Sequence, residues 1–315
     1  MTIIPNRRAV IDVGTNSVKL LVGDVAGGMV TPVSEMSRQT RLGAGFYETR
    51  RLQASAIALT AEAVAEFSRT GCQLGAAPAR VIATSAARDA INVAELTDAI
   101  LNSSGQAMEV ISGEQEADWV FRGVTTNPAL APAPLLVVDV GGGSTEFIVG
   151  DKAVPQFRRS YSLGTVRLLE QLRPGDPPGE QALVYCRKTL RDFLKTEVAP
   201  LLSPALGALP TVRLVGTGGT TSILARMEAK MANFDRAKIE ATPLTLDGIR
   251  REVETLWHAT QAQRQKIEGL PPNRSDVILT GAAIFEAIME QFGFKDLTVS
   301  TRGLRYWALL QHTPE

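Results

Sequence analysis

One hairpin-forming motif occurs twice in this chain of 315 residues, and it restricts the fold more than any other feature. The segment VIDVGTNSVKLLVGD begins at Val10, and the segment VVDVGGGSTEFIVGD begins at Val137. The second copy follows the first at a constant offset of 127 positions without a gap, so Asp12 corresponds to Asp139. Each copy has two strands rich in β-branched residues around a short turn of small residues, as β-hairpins do. The repeat therefore predicts two similar halves.

The turn of each copy is suited to binding an anion. Small residues allow several backbone N–H groups to converge on a phosphate, because few Cβ atoms hold it away. An Asp closes the first strand of each hairpin, and its oxygens suit Mg²⁺, which would bridge them to the bound phosphates. An internal duplication whose turns need glycine only for their geometry is the alternative. The predicted phosphate-binding residues are Gly14, Thr15, Asn16 and Ser17 in the first copy, and Gly141, Gly142, Gly143, Ser144 and Thr145 in the second.

A third glycine-rich segment follows a predicted buried strand at residues 212–215. It contains Gly218 and Gly219 and precedes a predicted helix at residues 222–231. A strand that runs through Gly and Thr into a helix is typical of phosphate sites that use the helix N-terminus. Many α/β loops share this pattern, so the prediction gains weight only beside the two hairpins.

Composition excludes several classes of protein. Lys and Arg together number 33, as do Asp and Glu, so we expect no sequence-specific nucleic-acid binding. The chain shows no signal peptide and no apolar stretch of about 18 residues, which predicts a cytoplasmic protein without membrane contact.

Two histidines, His258 and His312, disfavour a His-built zinc site or a Ser-His-Asp triad. Cys72 and Cys186 fit no metal or redox spacing and are expected to be buried thiols.

Strand and helix patterns alternate along the chain, which predicts an α/β fold with two domains. Predicted elements include a helix at residues 54–68, a strand at 80–83, and a helix start at Ser112 in the segment ISGEQEA. A long amphipathic helix is expected to bury Leu183, Cys186, Leu190, Phe193 and Leu194 and to end near Pro200. The proline-rich stretch 127–134 is the expected boundary. The first domain comprises residues 1–126 joined by about 298–315, and the second comprises 127–297.

The paired hairpins resemble the phosphate loops of the actin, sugar-kinase and heat-shock-chaperone ATPase superfamily. Within it, the chain is most similar to the exopolyphosphatase and guanosine pentaphosphate phosphohydrolase family. The supporting stretches follow the family's order over nearly the whole chain: TRLGAGF from Thr40, ATSAARDA from Ala83, ISGEQEA from Ile111, SLGTVRL from Ser162, VGTGGTTS from Val215 and RSDVILTGAAI from Arg274. The resemblance implies two ribonuclease H-like domains with an interdomain cleft.

The resemblance also implies roles for particular residues. Glu116 matches the family's catalytic carboxylate, which orients the attacking water and accepts its proton, and Arg88 matches its phosphate-contacting arginine. Asp139 and Glu146 match the carboxylates linked to Mg²⁺ or Mn²⁺, with Asp12 opposite. Each residue also has an ordinary interpretation. Glu116 could be a glutamate at a helix start that favours the helix dipole, although Glu114 is the better candidate for capping, and Arg88 could form a surface ion pair. Asp12 and Asp139 could form turns at strand ends, and Glu146 could be an exposed strand residue.

The function expected from this resemblance is removal of the terminal phosphate from inorganic polyphosphate, guanosine pentaphosphate, or both. A superfamily kinase and a non-hydrolytic actin-like nucleotide switch are the alternatives. The chain resembles the short two-domain members that lack a C-terminal HD-type region, because it contains no His-Asp pair before Glu315. Homodimerisation is left open. Tyr306 and Trp307 stand where the family usually has Glu-Gly, so local packing is expected to differ there.

Overall fold

A computed structural model describes residues 6–311 as an α/β protein. Its contacts divide the chain into two compact units. The first extends to Thr126 and resumes at Gly303, and the second runs from Asn127 to Arg302. His312 and the rest of the expected C-terminal segment to residue 315 lie outside the described residues.

The first unit contains a five-stranded mixed sheet of order β3-β2-β1-β4-β5. The first three strands are antiparallel, and β4 and β5 continue the sheet in parallel with β1. The elements are β1 (Asn6–Val13), β2 (Ser17–Ala26), β3 (Met29–Gln39), α1 (Phe46–Thr49), α2 (Ala54–Gln73), β4 (Arg80–Ala83), α3 (Ser85–Asp89), α4 (Val93–Ser104), β5 (Met108–Val110) and α5 (Gly113–Val124).

The second unit contains a six-stranded mixed sheet of order β10-β11-β9-β6-β7-β8. Its elements are β6 (Leu135–Val140), β7 (Thr145–Asp151), β8 (Val154–Tyr161), α6 (Thr165–Leu172), α7 (Gly179–Phe193), α8 (Ala199–Gly207), β9 (Arg213–Thr217), α9 (Gly218–Glu228), α10 (Arg236–Ala241), β10 (Leu244–Thr245), α11 (Leu246–His258), α12 (Gln261–Arg264), α13 (Ile278–Phe292) and β11 (Asp296–Val299). A π-helical turn, Leu194–Val198, joins α7 to α8, and a 3-10 turn covers Pro272–Arg274. The last helix, α14 (Leu304–Gln311), belongs to the first unit.

The sequence repeat is a repeat of structure. The first hairpin, β1 with β2, and the second, β6 with β7, are both antiparallel, and each is extended by a third antiparallel strand. The register of that third strand shifts between Val22 and Gly23 in one unit and between Val149 and Gly150 in the other, which are equivalent positions. A parallel strand then pairs with the first strand of each hairpin. The duplication therefore extends beyond the motif to a common four-stranded core of each sheet.

Packing around the central strands follows the sequence pattern. The side chains of β1 from Ala9 to Val13 are all buried, as is typical of a strand covered on both faces. Helix α2 buries Ile57 and Phe67 on one face, as its helical spacing predicts. Helix α7 buries Leu183, Cys186 and Leu190, and the turn after it buries Leu194, whereas Phe193 is only partly buried.

Four predictions of local structure are wrong. The helix that begins at Gly179 does not end near Pro200, because the wide π turn before this proline accommodates its ring and the chain continues helically to Gly207. The strand near residue 298 does not join the first unit, since β11 pairs with β9. Helix α9 begins at Gly218 rather than at Ser222. Cys72 is exposed, because it lies on the outer face of the last turn of α2.

Helix α14 packs against α5 and β1. The Arg8 guanidinium donates hydrogen bonds to the carbonyl oxygens of Leu309 and Leu310 at 2.9 and 3.1 Å, so it satisfies two acceptors at the C-terminal end of the helix. Tyr306 is buried, and the guanidinium of Arg122 on α5 lies over the Trp307 ring, 5.2 Å from its centre. These two aromatic residues therefore attach α14 to the unit that carries α5. Within residues 6–311, no helix combines the length and apolar character needed to cross a membrane.

The contact between α5 and Gly303 predicts a steric requirement for glycine at position 123. A Cβ at Gly123 would lie 2.0 Å from the carbonyl oxygen of Gly303, and backbone cannot move aside cheaply. Alanine gains up to about 1 kcal/mol of helix propensity over glycine, whereas overpacking costs about 1–3 kcal/mol. We expect Gly123→Ala to lower the free energy of unfolding, measured by urea titration. Gly207→Ala is the control, because a Cβ there meets nothing within 4 Å; equal stability of the two variants would contradict the assignment.

Candidate active site

Both hairpin turns have the same backbone geometry. Gly14 N–H donates to the Ser17 carbonyl oxygen at 3.1 Å, and Gly141 N–H donates to the Ser144 carbonyl oxygen at 3.0 Å. Thr15 in the first turn is buried. The two predicted phosphate loops are therefore equivalent, compact turns.

A second segment of the chain holds each turn in place. In the first unit the N–H groups of Thr40 and Arg41 donate to the Asn16 carbonyl oxygen, and Gly43 N–H donates to that of Thr15 at 2.8 Å. In the second unit the N–H groups of Thr165 and Val166 donate to the carbonyl oxygens of Gly141 and Gly142 at 2.9 and 2.8 Å. These segments belong to the TRLGAGF and SLGTVRL stretches, which are thus parts of the two sites.

Close approach of each second segment depends on one glycine. A Cβ at Gly43 would lie 2.4 Å from Cγ2 of Thr15, and a Cβ at Gly164 would lie 2.5 Å from the carbonyl oxygen of Gly142. Thr15 and Gly142 are equivalent in the repeat, so the two glycines occupy equivalent places. Sequence analysis did not identify either glycine as a site residue, although the Leu-Gly pair common to both stretches is a usable signal.

Glu116 and Arg88 come together in the first unit. An Arg88 guanidinium nitrogen donates to Oε2 of Glu116 at 2.9 Å and to the Ile111 carbonyl oxygen at 3.2 Å. Glu116 is buried on the first turn of α5, and its neighbour Glu114 is exposed. Helix capping is performed by Ser112, whose hydroxyl oxygen accepts from Gln115 N–H, so Glu116 is not needed as a cap. A carboxylate held by an arginine beside the strand ends is suited to orient a water molecule.

Topology explains why these groups converge. Strands β1, β4 and β5 are parallel, so their carboxyl ends lie at one edge of the sheet. The turn from Gly14 to Ser17 follows β1, Arg88 follows β4 on α3, and Glu116 follows β5 on α5. In α/β sheets ligands bind at this edge. The predicted site residues of the first unit thus occupy the expected position in the fold.

Asp12 lies at the end of β1 and has a buried carboxyl group. Its Oδ1 makes no hydrogen bond. Burial raises the pKa of Asp12 above its usual range, and the positive charges of Lys19 and Arg305 oppose this effect only in part. A buried oxygen without a donor is costly unless a ligand or cation supplies the missing interaction.

The second unit brings Asp139 against the start of α9. A Cβ at Gly218 would lie 2.2 Å from Oδ1 of Asp139, and Gly218 has a φ of +86°. Glycine is therefore required there both by the backbone conformation and by the neighbouring carboxylate. The helix N-terminus favours this negative charge through the helix dipole.

The start of α9 is uncapped by its own residues. Thr217 occupies the N-cap position, but its hydroxyl donates to the Arg302 carbonyl oxygen at 2.9 Å and makes no cap hydrogen bond. The first N–H groups of a helix have no partner within the helix, so those of Gly218 and Gly219 are candidate donors to an anion. This geometry fits the predicted contribution of both glycines to a phosphate site.

Glu146 is not the exposed strand residue of the ordinary interpretation. Only 1% of its surface is accessible, and its Oε1 accepts a hydrogen bond from the Ser160 hydroxyl at 2.7 Å. Its neighbour Thr145 is fully buried, and its hydroxyl donates to the Leu163 carbonyl oxygen at 2.6 Å. Thr145 therefore uses its hydroxyl to hold the second segment at the start of β7.

The two copies differ in charge at one row of the sheet. Asp12 is the cross-strand neighbour of Lys19, whereas Asp139 is the cross-strand neighbour of Glu146. Lys19 and Glu146 are equivalent positions in the repeat, 127 residues apart. Their difference in charge can be read from the sequence but was not predicted to matter. The first row combines a negative and a positive side chain, and the second row combines two carboxylates.

The residues of the second row fit a hard divalent cation. Asp139 and Glu146 offer carboxylate oxygens, the ligands that Mg²⁺ and Mn²⁺ prefer, and the missing side chain of Gly218 lets the Asp139 carboxylate lie close to the start of α9. The orphaned Oδ1 of Asp12 is a further oxygen of this kind in the first unit. Asp139 and Glu146 could hold the cation implied by the resemblance, and Asp12 is the candidate carboxylate ligand of the first unit.

A separate cluster lies on the surface of the second unit. Glu180, Glu254 and His258 are exposed, and their ligand atoms lie within 4.8 Å of one another. Glu254 already forms an ion pair with Arg187 at 2.8 Å. This positive charge disfavours a cation there, so the group is a solvated cluster of ion pairs.

Comparisons with known proteins agree with this architecture. The profile described as "Ppx/GppA phosphatase family" matches residues 21–314. Exopolyphosphatase 2 of Mycobacterium tuberculosis is 35% identical over 312 residues, which cover 93% of this chain and 94% of that protein. Exopolyphosphatase 1 of the same organism is 29% identical and covers 97% of this chain and 88% of its own length.

Solved structures show the same fold over nearly the whole chain. The Ppx/GppA family member of Aquifex aeolicus has a TM-score of 0.78 at 30% identity and covers 98% of this chain and 100% of its own. A crystal structure described as an exopolyphosphatase-like protein has a TM-score of 0.88 at 27% identity, with 97% of both chains covered. The two-domain α/β fold expected from the resemblance to the actin-like superfamily is confirmed.

The buried carboxyl group of Asp12 predicts a pH-dependent effect of its substitution. A raised pKa means that the folded state holds its proton to higher pH than the unfolded state, whose Asp ionises near pH ~3.9. Stability is therefore lost as pH rises from the unfolded pKa through the folded pKa. In metal-free buffer, Asp12→Asn should gain stability over the wild type as pH is raised from 4 to 8. Urea unfolding of both proteins measures the difference, and a difference independent of pH would contradict the assignment.

Proposed function

Because the chain belongs to the Ppx/GppA phosphatase family, we propose that it removes the terminal phosphate of inorganic polyphosphate by hydrolysis. The observation that carries the proposal is the ion pair between buried Glu116 and half-buried Arg88, at the strand edge that also carries the first proposed phosphate-binding turn. This is where a water-directing carboxylate is needed for attack on a phosphate held by the turn. Relatives over most of the chain are named exopolyphosphatases, which supports the same substrate class.

The proposed reaction is attack of water on the terminal phosphorus. The water oxygen forms the new P–O bond, the anhydride P–O bond to the next phosphate breaks, and the shortened chain leaves as an anion. Glu116 orients the water and accepts its proton. Arg88 holds one carboxylate oxygen of Glu116 and offers a positive charge to the phosphate, as in other phosphoryl-transfer sites.

The turns and the start of α9 supply the grip on the substrate. Backbone N–H groups of the turns and of Gly218 and Gly219 would donate to phosphate oxygens, which suits a substrate that lacks distinctive side groups. Asp139 and Glu146 would hold Mg²⁺ or Mn²⁺, and Asp12 would offer the equivalent carboxylate of the first unit. The bound cation would neutralise phosphate oxygens and so lower the cost of charge on the leaving group.

Guanosine pentaphosphate is the second proposed substrate. It ends in the same anhydride-linked phosphate, so the same turns and the same Glu116 would act on it. A kinase would direct a sugar hydroxyl at this phosphate and a nucleotide switch would leave it in place, whereas the proposed role of Glu116 is to direct water. Hydrolysis of one or both substrates is therefore the proposal.

One assay compares the proposed activities. Phosphate release from polyphosphate of several lengths, guanosine pentaphosphate and ATP is measured with Mg²⁺, with Mn²⁺, and with excess chelator. We expect metal-dependent release from polyphosphate at a rate well above that from ATP. Release from ATP alone would favour a nucleotide-dependent function, and full activity in chelator would contradict the metal assignment.

Replacement of Glu116 tests the assigned base. Glu116→Gln keeps the shape and the burial of the side chain but cannot accept the proton, so we expect turnover to fall by about 10²-fold or more. Glu114→Gln is the control, since Glu114 lies on the same helical turn and is exposed. Steady-state phosphate release at saturating substrate and metal gives both rates. A Glu116→Gln variant as active as Glu114→Gln would remove Glu116 from the proposed role.

A further inference from the structure

We propose that Ser160 is a positioning residue, which orients the carboxylate of Glu146 for the divalent cation. The inference rests on the proposed metal site and adds a residue to it from outside the sequence motifs. Ser160 lies on β8, and its hydroxyl donates to Oε1 of Glu146 at 2.7 Å. This is the length of a good hydrogen bond to a carboxylate.

The register of the sheet places Ser160 in the same row as both carboxylates. Asp139 pairs with Glu146 across β6 and β7, and Glu146 pairs with Ser160 across β7 and β8. Side chains that pair directly across antiparallel strands lie on the same face of the sheet. Asp139, Glu146 and Ser160 therefore point to one side, with Glu146 in the middle.

Burial makes the serine hydroxyl important to Glu146. A carboxylate with 1% of its surface accessible is screened from water and depends on donors from the protein. A glutamate side chain also has three rotatable bonds, and a fixed donor restricts the direction of its carboxylate. Donors to metal-bound carboxylates act in this way, and their loss typically weakens metal binding by roughly 10- to 100-fold.

The first unit provides an internal comparison. Ser37 is the cross-strand neighbour of Lys19, so it occupies in the first row the place that Ser160 occupies in the second. A lysine ammonium has no acceptor for a hydroxyl hydrogen. Ser37 is also exposed. Both copies thus have a serine in this row. In the second copy, which has two carboxylates in the row, the serine hydroxyl holds the carboxylate of Glu146.

Two substitutions separate the hydroxyl from the shape of the side chain. Ser160→Thr retains the hydroxyl. Ser160→Val gives a side chain of nearly the same shape as threonine but without the hydroxyl, and both residues suit a strand. The affinity of the whole purified chain for Mn²⁺ is measured from the electron paramagnetic resonance signal of the free ion. We expect Ser160→Val to bind Mn²⁺ roughly 10- to 100-fold more weakly than the wild type, and Ser160→Thr to bind it within about threefold.

Kinetics supply a second readout. With Ser160→Val, the Mn²⁺ concentration for half-maximal phosphate release should rise by the same factor, while the rate at saturating Mn²⁺ stays within about threefold. A purely structural role would instead lower the rate at all metal concentrations. Ser37→Ala is the matched control for removal of a row serine, and Ser160→Ala provides the same change at the proposed position. Thermal unfolding of each variant verifies that it is folded.

The outcomes distinguish this inference from the proposed function. If the wild type binds Mn²⁺ and Glu146→Gln weakens the binding, but Ser160→Val and Ser160→Ala bind like the wild type, the role of Ser160 is overturned and the proposed function stands. If the wild type binds no Mn²⁺ and releases phosphate in chelator, the metal site is wrong and Ser160 loses its role with it. Weak binding by Ser160→Val, restored in Ser160→Thr, supports the inference.

Discussion

Each proposed phosphate-binding turn depends on backbone hydrogen bonds from a second segment of its own unit. The turns consist of small residues, which have little side-chain surface with which to fix their own conformation. Gly43 and Gly164 allow the second segments to approach, and the N–H groups around them bind the turn carbonyls. The N–H groups of Gly14 and Gly141 close the turns, and the remaining N–H groups of the turns are the proposed donors to phosphate. Such preorganised donors bind an anion without first paying for reorganisation.

The two copies share this backbone and differ in the charges placed on it. Asp12 faces Lys19 in one row, and Asp139 faces Glu146 in the other. A row with both signs of charge suits contact with an anion, whereas a row of two carboxylates suits a cation. The two copies thus share one scaffold, and the residue at one strand position, Lys19 or Glu146, sets the charge of the row beside each turn.

The sequence predicted the buried, strongly patterned parts of this structure well. Strand Arg80–Ala83 and the starts of α2 and α5 match the predictions, because apolar periodicity or a flanking helix signal marked them. Strands β3 and β8 were not predicted. They are edge strands with half-exposed side chains, each contains a proline, and neither shows the continuous apolar run of a central strand.

The sequence predicted which residues belong to the candidate site but did not predict which of them contact each other. Motif resemblance named Glu116 and Arg88 separately, but their ion pair joins residues far apart in sequence, and only the parallel order of β4 and β5 brings them to one edge. Ser160 is a second example: it belongs to none of the sequence motifs, and it contacts Glu146 because the sheet register places the two residues opposite each other. Such contacts arise from sheet topology, which the periodicity of a single segment does not contain.

The buried apolar side chains form one cluster in each unit. One cluster of buried side chains lies between Leu136 and Val299, the other lies between Ala9 and Ile100, and they have no residue in common. Where each unit unfolds around its own cluster, a melting curve contains two transitions. A cation held only by the second row would raise one of them and leave the other in place, which reports directly which half of the duplication receives the metal.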